Sequence, residues 1–199
     1  LSYAADIANL ETFKARFAEY LALDREILPL AVENTNLKAQ RLSFGLAREE
    51  ADAFRTSLDA VMPARQADMW RVKALAAGSV AAVREIQVLQ APHIAEPDDA
   101  AMTRIEKRMA AEESAARNTL KTLAGLTAPG SRSRLMDASA ALDRFMGLNA
   151  QIVTLSRRNT NVRSLALSLG QKRMVAAACD DSLRALQDTL SKRGFSATR

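Results

Sequence analysis

The strong helix breakers of this 199-residue chain are few and clustered, and between them apolar residues recur every three to four positions. Pro63 stands alone, Pro92 and Pro97 bracket APHIAEPDD, and Pro129-Gly130 opens APGSRS. A chain punctuated so sparsely can fold only as a few helices, here four in the order long, short, short, long. Composition agrees: aromatic residues make up 5% and the apolar content leans on Ala and Leu. These lose little side-chain freedom in a helix, whereas a β-sandwich wants β-branched and aromatic residues between closely spaced turns.

The predicted fold class is all-α: an antiparallel up-down-up-down four-helix bundle, forming one domain over residues 1–199. The first helix is expected over about 4–60, the second over 63–91, the third over 97–126 and the fourth over 131–193. The first carries the stripe Ile27, Leu30, Asn34, Leu37, Arg41, Phe44, Arg48, Ala51, Leu58 and Val61, with a kink expected at Pro29. The fourth carries Leu135, Ala138, Leu142, Phe145, Asn149, Ile152, Leu155, Asn159, Val162, Ala166, Leu169, Arg173, Ala176 and Leu183, with Ser131 or Ser133 as its cap. Pro97 followed by Asp98 and Asp99 suits the first turn of the third helix, where negative charge meets the positive end of the helix dipole. At about 1.5 Å per residue the outer helices would be roughly 85–95 Å long and the inner pair roughly half that. The excess length predicts a two-helix stalk from residues 1–30 and 165–199, with both ends leaving one tip, as in a segment of a larger protein.

Net charge is +5. Acids are interspersed with the Lys and Arg residues, which reads as solvated helix faces and not as a nucleic-acid surface. The one cysteine, Cys179, excludes an internal disulfide and suits a small core position.

One phrase occurs twice. Residues 27–61 align without a gap to 152–186, with 14 of 35 pairs identical, including Asn34-Thr35-Asn36 against Asn159-Thr160-Asn161 and Gly45 against Gly170. This suggests a duplicated helix. Helices 1 and 4 run oppositely from the same end, so both phrases should meet at one height near the 92–98 turn. A buried Asn at a helix seam fixes register, because sliding would leave its amide unpaired. The same polar layer, Asn34, Thr35, Asn36, Asn159, Thr160 and Asn161 with Arg41, Arg157, Arg158 or Arg163 nearby, could instead bind a small polar ligand between helices.

The segment RRNTNVRSLALSLGQKRMVAAACDDSLRALQDTLSKRG, with the long-short-short-long layout, resembles the extracytoplasmic sensor region of bacterial methyl-accepting chemotaxis proteins of the four-helix-bundle type. The resemblance implies a periplasmic domain of an inner-membrane protein, flanked by membrane helices and followed by a HAMP segment and a cytoplasmic signalling rod. It implies a homodimer in which a small movement of helix 4 against helix 1 carries the signal. It also implies a small-molecule ligand or a periplasmic binding protein as partner, and no cofactor. The arginines and threonine that aspartate-sensing members use do not map onto particular positions here. The alternatives are the sensor of a membrane histidine kinase or diguanylate cyclase, or a purely structural helical module.

Enzymatic readings find little support. His93 is the only histidine, and its Pro-rich surroundings predict a solvated turn. The acid pairs Asp98-Asp99, Glu112-Glu113 and Asp180-Asp181 are adjacent, so on helices they point apart. No P-loop, GxGxxG, nucleophile elbow or Glu-x-x-His occurs. The methionines and the single Trp70 are expected in the core.

Overall fold

In a computed structural model of the chain, residues 3–192 are described. It is all-helical, with 93% helix and no strand among the described residues. The elements are α1 (Ala4–Glu33), α2 (Thr35–Leu42), a π-helical turn (Ser43–Ala47), α3 (Arg48–Asp59), a 3₁₀ turn (Gln66–Asp68), α4 (Met69–Ala95), α5 (Asp99–Leu126), a 3₁₀ turn (Pro129–Ser131), α6 (Arg132–Arg158), α7 (Thr160–Leu167), a second π-helical turn (Ser168–Lys172) and α8 (Arg173–Lys192).

The chain divides into two compact units, Leu1–Asn34 with Thr160–Arg199, and Thr35–Asn159. The predicted unbroken first and fourth helices are corrected. Pro29 lies inside α1, which continues to Glu33, and the break comes at Asn34. Asn34 (φ 55°) and Asn159 (φ 51°) are the two non-glycine residues with positive φ among the described residues. Asn tolerates this left-handed conformation better than most side chains because its short amide can bond locally. The repeated phrase therefore ends a helix each time it occurs. Each copy then has a π turn nine residues on, containing Gly45 or Gly170.

The left-handed Asn34 puts the buried seam out of phase with the sequence stripe from Leu37 onward, and the π turn brings the two together again by Ala51. The buried positions run Asn36, Ala39, Ser43, Ala47, Ala51, Phe54, Leu58 and Val61. Three successive steps of four, from 39 to 51, overrun a helical seam by about one residue, and the wider π turn absorbs it. Leu37, Arg41, Phe44 and Arg48, predicted inward, are exposed instead. The same slip in the second copy exposes Leu169, Arg173 and Leu183, while Thr160, Ser164, Val175 and Cys179 are buried.

The Thr35–Asn159 unit holds the main core. On α4 the buried seam is Val72, Ala76, Ser79, Val83, Ile86, Gln90 and His93. On α6 it is Ala138, Leu142, Phe145, Asn149, Ile152 and Ser156. Steps alternate between four and three on both, the pattern of knobs entering holes. Met102 and Met109 are buried on α5, but Met62, Met136, Met174 and Trp70 (74% exposed) are not core residues. The turns 60–66 and 126–131 are pinned together: Ala64 N–H donates to Leu126 O at 2.8 Å and Ala128 N–H to Met62 O at 2.9 Å. Ser131 precedes α6 but its hydroxyl accepts from Met62 N–H at 3.2 Å instead of capping the helix.

α4 runs through Pro92 to Ala95, past the predicted stop. A proline removes the bond to the carbonyl four residues back, and Val88 there lies on an exposed face where water can replace it. α5 begins at Asp99, with Pro97 outside it and Asp98 as the cap, its Oδ1 accepting from Ala101 N–H at 2.7 Å. Asp98→Ala is expected to cost about 1 kcal/mol of stability in urea unfolding, as loss of such a cap generally does. No change would show that the free N–H groups are already served by water.

In the other unit α1 packs antiparallel against α7 and α8, as the pairs Asn9–Thr189, Asp24–Lys172 and Asn34–Asn161 show. Phe13, Phe17 and Tyr20 stack along α1 with centroids 5.7 and 6.2 Å apart, and Lys172 Nζ lies 4.7 Å from the Tyr20 ring centroid.

Candidate functional site

The two Asn-Thr-Asn phrases do meet, and their amides bond reciprocally. Asn36 Nδ2 donates to Asn159 Oδ1 at 2.8 Å, and Asn161 Nδ2 donates to Asn34 Oδ1 at 2.5 Å. The third residue of each copy thus donates to the first residue of the other. Thr35 and Thr160 are buried. Arg41, Arg158 and Arg163 are exposed.

The layer closes the end of α4. A helix leaves its last carbonyls without intrahelical donors, and His93 O would need the N–H of residue 97, which is proline. Side chains supply what the backbone lacks. Ser156 Oγ donates to His93 O at 2.7 Å, Asn36 Nδ2 to Ile94 O at 2.6 Å and Asn159 Nδ2 to Glu96 O at 2.8 Å. A buried carbonyl left unpaired costs roughly 1–3 kcal/mol, so these contacts hold the 94–98 turn in place.

Behind the asparagines lies a second polar cluster that sequence reasoning missed. His93 is fully buried, not solvated. Its Nδ1 lies 2.8 Å from Ser156 Oγ and its Nε2 lies 2.8 Å from Glu106 Oε1. Ser156 has one hydroxyl hydrogen, given to His93 O, so its oxygen accepts from Nδ1–H. Arg157 grips Glu106 with two bonds, Nε to Oε1 at 2.7 Å and Nη2 to Oε2 at 2.9 Å, and reaches Thr103 Oγ1 and Asp99. A third strand of the network joins Ser43 Oγ to Gln90 Oε1 at 2.6 Å, and Gln90 Nε2 to Asn149 Oδ1 at 2.9 Å. A signal for both clusters was present in the sequence: Asn149, Ser156 and Asn159 share one seam at steps of seven and three.

Ser156, His93 and Glu106 have the connectivity of a hydroxyl–imidazole–carboxylate triad. The burial of Ser156 and His93 does not suit nucleophilic chemistry. Ser156 and His93 are 0% exposed, and the hydroxyl proton is committed to a backbone carbonyl, so no substrate carbonyl can approach Oγ. Among the described residues no group of three His, Cys, Asp or Glu is arranged to hold a metal ion. The arrangement fits a structural clamp that fixes how α2, α4, α5 and α6 meet.

The Arg157 hydrogen bonds hold the Glu106 carboxyl below the ordinary value of about 4.5; burial opposes the shift and His93 assists it. A carboxyl depressed in the folded state stabilises above its unfolded value and loses that contribution as pH falls through the folded value. The stability difference between the wild type and Glu106→Gln is therefore expected to be full above pH ~4.5 and to fade below it. Urea midpoints at a series of pH values measure this. A difference that grows toward acid would refute the assignment.

The open grooves lie elsewhere. One of about 590 Å³ is formed by α5 and α6, lined by Arg117, Leu120, Lys121, Ala124, Arg132, Leu135, Met136 and Ser139. A second, about 520 Å³, lies between α1 and the second π turn with α8, lined by residues that include Arg16, Glu19, Glu26 and Met174. Comparison with protein-family models, curated protein sequences and solved structures found no match.

Proposed function

We propose that this chain is the ligand-sensing periplasmic part of a transmembrane chemotaxis receptor, acting as a homodimer and signalling through its last helices. The observation that carries the reading is the pairing of the outer ends of α1 and α8, where Asn9 Nδ2 donates to Thr189 Oγ1 at 3.2 Å. Two helices that leave a sensor side by side can both continue toward one membrane surface. No helix among the described residues is long and apolar enough to cross a membrane; in this reading the membrane helices flank the segment.

An up-down-up-down course for the Thr35–Asn159 unit is supported by its bonded pairs. Asp52–Arg84, Glu85–Arg108 and Arg117–Asp143 join consecutive helices, while Gln90–Asn149 and His93–Ser156 join α4 to α6 in parallel register. Exposed Ile7, Leu28 and Val32 on α1, and Leu165, Leu169 and Met174 on the partner segment, support a second copy covering that face. Transmission requires two packings that a ligand binds unequally. The left-handed Asn159 and the π turn at Ser168–Lys172 are the positions along α6–α7–α8 where the backbone departs from a regular helix.

The test uses the full-length protein with Asn9→Cys and Thr189→Cys. Oxidation should lock the output of the attached signalling region whatever the ligand. Output that still responds, or flanking segments without apolar spans of about 20 residues, would overturn the reading. A kinase or cyclase domain downstream would move the sensor to that output class.

A further inference from the structure

From the groove between α5 and α6 we infer a binding site for a small carboxylate with an apolar body. Arg117, Leu120, Lys121 and Ala124 come from α5, and Arg132, Leu135, Met136 and Ser139 from α6. Both sets have the same spacing, i, i+3, i+4 and i+7, so each helix turns one continuous face to the groove. Leu120 and Leu135 pack into or against the core and make an apolar floor, while Met136, 72% exposed, forms a flexible wall. The volume of about 590 Å³ falls within the usual size of sites for organic ligands.

The charges at the rim point to an anion. Arg117 is occupied by Glu113 at 2.8 Å and Asp143 at 2.7 Å. Lys121 and Arg132 form no ion pair among the described residues, and the groove contributes no carboxylate of its own. An independent feature agrees. The first turn of α6 carries Arg132 and Arg134 and no acid. The N–H of Arg132 is taken by Pro129 O, and the Ser131 hydroxyl, which accepts from Met62 N–H, makes no cap bond to this turn, so no side chain brings negative charge to it. Helix N-termini ordinarily gather negative charge, and here two cations sit at the positive pole. A carboxylate between Lys121 and Arg132 would relieve that repulsion while its apolar body covered Leu120, Leu135 and Met136. Inorganic anions would gain the first term and not the second.

This site names a ligand class for the sensing role proposed above, yet it is tested on the 199-residue chain alone, so either idea can fail without the other. Calorimetric titration with sodium benzoate is expected to be saturable and to raise Tm by mass action. Benzamide and inorganic phosphate should each bind at least about tenfold more weakly, since each lacks one of the two interactions. Lys121→Glu and Arg132→Glu should each weaken benzoate about tenfold or more. Both side chains are exposed, so folding is preserved, and Arg163→Glu, exposed and outside the groove, serves as the charge control. Absence of saturation, equal binding of phosphate, or unchanged affinity in both groove variants would overturn the inference. So would a dimer that Met136→Asp converts to monomer, because the groove would then be a subunit interface.

Discussion

Asn159→Ala is expected to destabilise the Thr35–Asn159 unit by at least about 3 kcal/mol, the sum of the lower limits for backbone strain (roughly 1–2 kcal/mol) and for two unpaired amide partners (roughly 1–3 kcal/mol each). The strain arises because φ is 51° at this position, where an alanine Cβ crowds the following carbonyl. The lost bonds are those to Glu96 O and from Asn36 Nδ2. Glycine separates the two contributions. Asn159→Gly removes the same amide but adopts positive φ freely, so it should be less damaging than alanine by about 1–2 kcal/mol. Urea unfolding of both variants decides the matter. Equal losses would show that the left-handed conformation costs nothing here and that only the hydrogen bonds matter.

Gln90→Ala is the second large expected effect, about 2–4 kcal/mol, from a buried cavity together with orphaned polar partners. Gln90 is fully buried and links Ser43, at the start of the π turn, to Asn149, whose Nδ2 in turn faces Met109 Sδ at 3.7 Å. Removing one member leaves the Ser43 hydroxyl and the Asn149 carbonyl buried without their partner. Replacing the chain as a whole should behave differently. Combining Gln90→Leu, Asn149→Leu and Ser43→Ala removes all unpaired groups at once and is expected to be less destabilising than Gln90→Ala alone. If the triple variant is worse than the single, the polar chain contributes net stability beyond avoiding its own desolvation. Near-ultraviolet circular dichroism on the triple variant would further report whether the helices still pack in one register.

The buried polar cluster has a consistent logic. α4 ends between two prolines, so the carbonyls of its last turn cannot be served by the chain that follows. Ser156, Asn36 and Asn159 reach them from α6 and α2, and His93, Glu106 and Arg157 fill the space beside them. Each of these groups is expensive to bury alone and tolerable together. That is why the cluster reads as a register clamp.

Much of this was readable from residue order. Sparse breakers and three-four periodicity determined that the chain is helical, and the duplicated phrase determined that two helices carry matching polar positions that meet. Burial of Leu58, Leu142, Phe145 and Ile152 followed from the same spacing. Tertiary structure alone decided the phase of the helices after each phrase. A sequence stripe assumes a constant 3.6-residue period, but the left-handed Asn and the π turn each change the rotation per residue, and an error of one position sends Phe44 and Arg48 outward and Ser43 and Ala47 inward. Tertiary structure also decided the fate of His93. Proline forbids a backbone bond without forbidding a helix: the carbonyl Pro92 leaves open, that of Val88, sits on an exposed face where water can serve it, and Ser156 and the asparagines serve the carbonyls of the turn beyond Pro92.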